Sequence, residues 1–193
     1  KQAILFLLFQ PGSPSVFDAI LDADTQDVPL FVRGAATDPD AIDHYAVELH
    51  HRTGETAYVS AASALDDQFG EWQRELLKTP GAHAIVHDKI VVVDPLSDDC
   101  AVITGSHNLG YRASYANDDN LVVIRGHRAL AEAYAVHVMD VYDHYRWRYV
   151  RERYGAKAFT GLARTDDWQD KYFRDGAALD ETRFWTSAAP VPA

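Results

Sequence analysis

A seven-residue apolar run, AILFLLF at positions 3–9, constrains the fold more than any other part of the sequence. The run is continuous rather than alternating, so a strand formed there must be buried on both of its faces. The breaking sequence PGSP ends it, and a helix is predicted over residues 15–21, followed by a second strand over residues 28–33. This order predicts an α/β fold: a mixed, mostly parallel sheet with helices on both faces.

The rest of the chain predicts further elements with differing clarity. Strands are expected over residues 83–93, 101–105 and 121–125, and a helix over residues 65–77. Residues 37–63 are open between a helix from Pro39 to Arg52 and an irregular excursion. The clearest helix runs from about Arg128 to Arg153, because apolar residues recur there at steps of three and four. We interpret that stripe as core; its members are Leu130, Tyr134, Val138, Val141, Tyr145 and Tyr149.

The C-terminal part differs in composition from the rest of the chain. Residues 155–193 are polar, contain glycine and proline, and carry several aromatic side chains. We therefore expect one domain over residues 1–154 and, over residues 155–193, a tail that packs on that domain or on its partner.

Charge and cysteine content exclude several classes of protein. The formal net charge is −11, so contact with nucleic acid or phospholipid would need a local basic site. The single cysteine, Cys100, excludes an intrachain disulfide framework and a cysteine-rich zinc module. No apolar run approaches the roughly 20 residues of a membrane span, and no secretory signal is visible. Because the chain begins with Lys1 rather than Met, we expect a processed chain or a fragment, and the compartment stays open, secretion included.

Polar residues interrupt two of the predicted strands. His87 and Lys89 occur in HDKIVVVD, and Ser106 and Asn108 in TGSHN. Strand alternation places His87 and Lys89 on one face, and it does the same for Ser106 and Asn108, which follow the strand over residues 101–105, if the extended backbone continues. Burying an imidazole and an ammonium unpaired among valines is costly. Together they fit a phosphodiester: a cation and two donors for phosphate oxygens, and a histidine that can attack phosphorus or transfer a proton. Gly105 is expected to let a ligand approach the backbone.

The pattern H-x-K-x4-D followed by G-S-x-N resembles the phospholipase D superfamily, often called HKD enzymes. The matching residues are His87, Lys89 and Asp94 for the first part, and Gly105, Ser106 and Asn108 for the second. Asp119 stands where the family usually has the glutamate of N-x-E. The resemblance covers about residues 3–154 and implies the fold of that family, an α-β-α sandwich.

The resemblance implies a phosphodiesterase that needs neither metal nor cofactor and works through a covalent phosphohistidine. It implies that Lys89, Ser106 and Asn108 bind phosphate. It groups His87, Lys89, Asp94 and Asp119 as the catalytic residues, with Asp119 orienting His87 and Asp94 mainly supporting its loop. A shared metal on His83 and His87 is the alternative for these histidines, and Lys89 argues against it because it would repel the cation.

A complete site of this family needs two H-x-K motifs, and this chain has one. Either two identical chains meet about a twofold axis, or the chain is the C-terminal half of a two-motif protein, which we favour. We expect phosphatidyl groups as substrate. The alternatives are a metal-independent endonuclease acting on DNA or RNA, and a non-catalytic structural half of a larger assembly. His107 should point away from its neighbours and pack in the loop, and Arg112 and Tyr115 are candidates for the mouth of the pocket.

Overall fold

The computed structural model describes residues 2–9, 14–24, 30–36, 58–61, 86–158, 161–174 and 177–186. Within these ranges the chain forms six strands and four α-helices. They are β1 (Ala3–Leu8), α1 (Val16–Asp24), β2 (Phe31–Ala36), β3 (Tyr58–Ala61), β4 (Lys89–Val93), β5 (Ala101–Gly105), α2 (Tyr111–Tyr115), β6 (Leu121–Arg125), α3 (Arg128–Tyr154) and α4 (Ala177–Thr186). Two short 3-10 helices, Gly155–Ala158 and Asp167–Tyr172, lie between α3 and α4.

The apolar run forms a central strand, as predicted. The sheet has the order β3-β2-β1-β4-β5-β6, so β1 has a neighbour on each side. All six of its residues are buried, with exposed fractions of 0–6%. A strand with this environment cannot carry polar side chains, which explains why its sequence is apolar without alternation.

The α/β class and the mixed sheet are confirmed. Two of the described pairings are parallel, β1–β2 and β2–β3, and three are antiparallel, β1–β4, β4–β5 and β5–β6. The parallel share of the pairings is therefore smaller than predicted, although four of the six described strands run in the same direction. One reason is the connection from β4 to β5 over residues 94–100, which is too short for the crossover that a parallel pair requires.

Helices cover both faces of the sheet, as predicted. Alternate residues of β1 divide between the two sides, because successive side chains of a strand point in opposite directions. On one side Ile4, Phe6 and Leu8 pack with Phe17 and Ile20 of α1. On the other side Leu5 and Leu7 pack with Ala131, Ala135 and Val138 of α3. The Phe6 and Phe17 rings meet edge to face at 5.4 Å, a favourable aromatic geometry.

The long helix is confirmed, but the centre of its buried face lies one residue away from the predicted stripe. Val138 and Tyr145 are buried as expected, whereas Leu130, Tyr134 and Val141 are only partly buried. The most buried positions include Ala131, Ala135 and Tyr142. Small alanine side chains let the helix approach the sheet closely, and a search for large apolar residues misses that contact face.

The C-terminal helix α4 contacts the sheet near the start of β2. The rings of Phe31 and Phe184 stack at a centroid distance of 4.6 Å, and Trp185 meets Phe31 edge-on at 5.8 Å. Glu181 of α4 pairs at 3.4 Å with Arg33, whose guanidinium is buried in β2. The pairing matters because a buried charge without a partner is costly. The division of the chain at residue 154 stays a prediction.

Several sequence predictions shift or fall outside the described ranges. β2 begins at Phe31 rather than at residue 28, and β4 begins at Lys89, so that residues 86–88 precede the strand instead of belonging to it. The predictions for residues 37–57 and 65–77, and for residues 83–85 with His83, lie outside the described residues. No helix within the described part of the chain combines the length and the apolar character needed to cross a membrane.

Asp94 joins the end of β4 to the start of β1. Its Oδ1 accepts the backbone N–H groups of Gln2 at 2.6 Å and Ala3 at 3.0 Å, and its own N–H donates to the Ala3 carbonyl at 3.0 Å. We predict that Asp94→Ala lowers the free energy of unfolding by about 2 kcal/mol, the scale of hydrogen bonds to a charged acceptor. Urea denaturation measures this. Asp99→Ala, at an exposed position of the same loop, is the control, and equal stability of the two variants would contradict the assignment.

Candidate active site

Most of the predicted site residues gather at one edge of the sheet. Because β4 and β6 run antiparallel to β5, the ends of β1 and β5 lie beside the beginnings of β4 and β6. The β4–β5 register pairs Val91 with Ile103, so its continuation places Lys89 opposite Gly105. Ser106 follows Gly105 directly, and this edge therefore holds the two motifs side by side.

His87 and Lys89 are in contact through the backbone and through a shared aromatic neighbour. The Nζ of Lys89 donates to the carbonyl oxygen of His87 at 2.6 Å and lies 4.7 Å from the centre of the Phe9 ring. That ring also packs against the imidazole of His87, with centroids 4.5 Å apart. His87 is exposed while Lys89 is only 8% exposed. The pair thus combines an imidazole that is accessible to solvent with an ammonium that is buried.

The electrostatic state of Lys89 follows from its burial. Desolvation lowers the pKa of Lys89 below its ordinary value of 10.5, and the charges of Asp88 and Asp119 oppose that shift without cancelling it. Among the described residues no carboxylate lies within ion-pair distance of this ammonium, which keeps N–H donors for an incoming anion. A ligand with negative charge would relieve the desolvation and return the pKa upward.

Ser106 is held in a network with the segment that precedes β6. Its hydroxyl donates to Oδ1 of Asp119 at 3.0 Å and accepts the N–H of Asn120 at 2.9 Å. Its own N–H donates to the Asn120 carbonyl at 3.1 Å. Asn117 donates to the other carboxylate oxygen of Asp119 at 3.2 Å. Ser106 and Asp119 are therefore brought together, on the same side as Lys89.

The expected contact between Asp119 and the His87 ring is not formed. Both carboxylate oxygens of Asp119 are bound to Ser106 and Asn117, and no hydrogen bond joins the imidazole to another described residue. A glutamate, as the family usually has here, would reach one methylene further. Asp119 therefore contacts Ser106 and Asn117 in this structure, and its charge opposes the lowering of the Lys89 pKa.

Asn108 carries an unsatisfied polar atom. Its Oδ1 is buried and makes no hydrogen bond within the described structure. Such an atom costs about 1–3 kcal/mol unless a partner arrives. Asn108 lies two residues beyond Ser106 in the same loop. The unfavourable free energy of its unpaired oxygen therefore arises beside the other predicted phosphate-binding residues.

Gly105 lies in close contact with the chain's own backbone. Its φ is +141°, and a Cβ built there would lie 2.4 Å from the backbone oxygen of Asn120. The backbone that approaches Gly105 here comes from the segment before β6, and the approach of a ligand to this position stays a prediction. Glycine is needed because the Asn120 backbone leaves no room for a Cβ and because a positive φ is unfavourable for other residues.

The structure does not bring Asp94 to the site. Asp94 follows the last residue of β4 and Lys89 is its first, so roughly 16 Å of extended chain separates them at about 3.3 Å per residue. Its carboxylate is bound to the N–H groups of Gln2 and Ala3. The grouping of Asp94 with the catalytic residues is therefore not supported by its position, whereas a supporting role for its loop fits its hydrogen bonds.

Sequence reasoning missed two residues that shape the site. Phe9 touches both His87 and Lys89, and Asn120 supplies the carbonyl that holds the start of the Ser106 loop. Phe9 ends the apolar run, so it could have been placed near the site only after the antiparallel β1–β4 register was known. Asn120 contributes mainly its backbone, which leaves no signal in residue type.

Comparisons with known proteins identify the family of this chain. The model of the family described as cardiolipin synthase, PLD-like domain, where PLD denotes phospholipase D, matches residues 2–139. The chain therefore belongs to that family, within the superfamily of phospholipase D-like phosphodiesterases. A phospholipase D family member of solved structure, Nuc from Salmonella typhimurium, is similar, with 22% identity over 72% of this chain and 77% of that chain and a TM-score of 0.47. No curated protein matches the chain.

The buried ammonium predicts a pH-dependent stability. Because folding lowers the pKa of Lys89, the unfolded chain binds more protons between that lowered value and 10.5, and stability contributed at this site rises with pH in that window. The gain in unfolding free energy of Lys89→Met over wild type should therefore shrink as the pH rises towards 10.5. Urea denaturation across this range measures it. Lys171→Met, at an exposed position, should show no such trend, and a constant difference for Lys89→Met would contradict the assignment.

Proposed function

We propose that the protein is a phospholipase D-type phosphodiesterase that hydrolyses or transfers phosphatidyl groups through a covalent intermediate on His87. One observation carries this proposal. An accessible imidazole and a buried ammonium contact the same Phe9 ring, and no described carboxylate lies within ion-pair distance of the ammonium. A nucleophile next to an uncompensated cation suits a substrate that brings its own negative charge.

Three residues supply the contacts to phosphate in this proposal. Lys89 provides the cation and spare N–H donors, and Ser106 provides a hydroxyl held by Asp119. The buried amide of Asn108 lacks a partner for its oxygen, and a half turn about its last torsion presents the Nδ2 donors in that place. On binding, the Ser106 proton turns from Asp119 to the phosphate and the Asn108 amide rotates, and the donors then stabilise the charge that develops on the equatorial oxygens.

The reaction proceeds in two displacements at phosphorus. A neutral ring nitrogen of His87 attacks, the P–N bond forms as the P–O bond to the leaving alcohol breaks, and a second histidine donates a proton to that oxygen. Water or an alcohol then attacks phosphorus, the second histidine accepts its proton, and the P–N bond breaks. The two imidazoles must start in opposite protonation states, which unlike surroundings favour.

The second histidine belongs to another copy of the motif, in an identical chain or in a separate half of the same protein. Exposed apolar side chains near the site support such a partner. Leu121, Val122 and Val123 of β6, at the edge of the described sheet, are each close to half exposed, and Tyr111 and Tyr115 of α2 are more exposed still. A second half that covers these residues would also shield the His87 ring from bulk water.

Phosphatidyl groups are the proposed substrate class for two reasons. The family is described by a lipid-synthesising activity, cardiolipin synthase. The net charge of −11 also disfavours non-specific binding to an extended polyanion such as DNA.

The test compares labelled phosphatidylcholine with plasmid DNA, each with excess chelator, on an assembly whose native mass has been measured. We expect chelator-resistant turnover of the lipid and a loss of at least about 10³-fold in His87→Ala, the scale for removal of a nucleophile. His137→Ala is the matched control, because His137 is exposed and its one ion pair among the described residues is with Asp88, at 3.5 Å; it should retain turnover.

Each other outcome points to a different function. Cleavage of DNA without turnover of lipid would indicate the endonuclease instead. Full activity of an assembly that contains His87→Ala would indicate a structural half. Activity abolished by chelator would contradict the histidine mechanism. A native mass equal to twice that of this chain would identify the partner as a second copy. An assembly that contains a second polypeptide of different mass would identify the partner as a separate half.

A further inference from the structure

His107 lies between two residues of the proposed phosphate site, yet its ring is bound on the other side of the loop. We propose that His107 is a positioning residue that fixes Asn108 for contact with a phosphate or a similar tetrahedral oxyanion. The inference rests on the proposed function, since Asn108 is the residue through which it acts.

The hydrogen bonds of His107 define its tautomer. The N–H of Leu109 donates to Nδ1 at 2.9 Å, so Nδ1 must carry a lone pair and not a proton. The proton of the neutral ring is then on Nε2, which lies 3.1 Å from the hydroxyl of Ser114. That hydroxyl donates in turn to the carbonyl of Gly110 at 3.2 Å. The ring thus connects the loop to the first turn of α2.

Leu109 has a backbone conformation that needs support. Its φ is +58°, in the left-handed region that is unfavourable for a residue with a Cβ. The bond from its N–H to the His107 ring spans two residues and closes a turn of the kind that Asn and Asp side chains form. Without this acceptor the turn would lose the interaction that offsets its strain.

Backbone hydrogen bonds hold both ends of the loop over residues 106–110. In the middle of the loop, the hydrogen bond is made by the His107 ring. At the start, the N–H groups of Ser106 and His107 donate to the Asn120 carbonyl at 3.1 Å. At the end, the Leu109 carbonyl accepts from Val16 at 2.9 Å, and the backbone of Gly110 pairs with that of Ser15. Asn108, between them, makes no hydrogen bond to another described residue.

This division of contacts gives the inference a specific consequence. Ser106 is held by Asp119 and Asn120, independently of the His107 ring. Asn108 makes no hydrogen bond to another described residue, so its position depends on the neighbouring backbone. The hydrogen bond between the Leu109 N–H and the His107 ring spans Asn108 and restrains that backbone. Loss of the ring should therefore remove what Asn108 contributes to anion binding and leave the contribution of Ser106 in place.

A double-mutant cycle tests this coupling. The probe is tungstate, a tetrahedral mimic of phosphate, with its affinity for the full chain measured by calorimetry and kcat/KM measured beside it. We expect His107→Leu and Asn108→Ala each to weaken tungstate binding about 10-fold, and the double variant to bind no more weakly than either. Combined with Ser106→Ala, by contrast, the effect of His107→Leu should multiply.

A conservative variant separates positioning from general stability. In His107→Asn the side-chain oxygen can still accept the Leu109 N–H, so tungstate affinity should return to within about threefold of wild type. If His107→Leu does not fold, Ser114→Ala and the ¹⁵N shifts of the wild-type imidazole replace it. The first should weaken tungstate binding without additivity with Asn108→Ala, and the second should report a proton on Nε2.

The results separate this inference from the proposed function. Tungstate affinity that is unchanged in His107→Leu, additivity with Asn108→Ala, or a proton on Nδ1 would each overturn the positioning role while turnover stands. Tungstate binding with the expected coupling but without phosphodiester turnover would support the positioning role and contradict the enzyme. A wild-type protein that does not bind tungstate would refute both.

Discussion

The rest of the site depends on the burial of one ammonium, that of Lys89, at the edge of the sheet beside His87. Burial lowers its pKa, and the described carboxylates lie too far away to pair with it. Its neighbours within reach are a backbone carbonyl and an aromatic face. A bound anion would replace the interaction that the ammonium loses when it is removed from water. The site would therefore favour a negatively charged ligand close to an accessible imidazole.

The strand order makes that burial possible. β1 is enclosed by β2 and β4 and by helices on both faces, and Phe9, which follows it, contacts both the histidine ring and the lysine ammonium. The antiparallel turn from β4 to β5 and the return through β6 bring the G-S-x-N loop to the same edge. At the other end of β4, Asp94 is hydrogen-bonded to the start of β1. The first residue of β4, Lys89, thus lies in the candidate site, whereas the residue that follows β4 stabilises the fold.

The sequence was sufficient for features that depend on residue type and insufficient for those that depend on register. The buried strand, the α/β class and the motif residues could be predicted because apolar runs and H-x-K patterns are local signals. The antiparallel pairings, the closure of Asn120 over Gly105 and the contact of Phe9 with His87 arise between segments far apart in the chain. Asp119 shows the limit of analogy, because the carboxylate at the family position is hydrogen-bonded to Ser106 and Asn117 and, among the described residues, not to His87.

A trapped intermediate tests the central claim most directly. The native assembly is mixed with a phosphodiester substrate, quenched in alkali within a turnover, digested, and analysed by mass spectrometry for phosphorus attached to histidine. The account predicts a substrate-derived phosphoryl group on the ring of His87 or of its counterpart in the partner, labile to acid. Turnover in which neither ring carries phosphorus at any time before the steady state would contradict it.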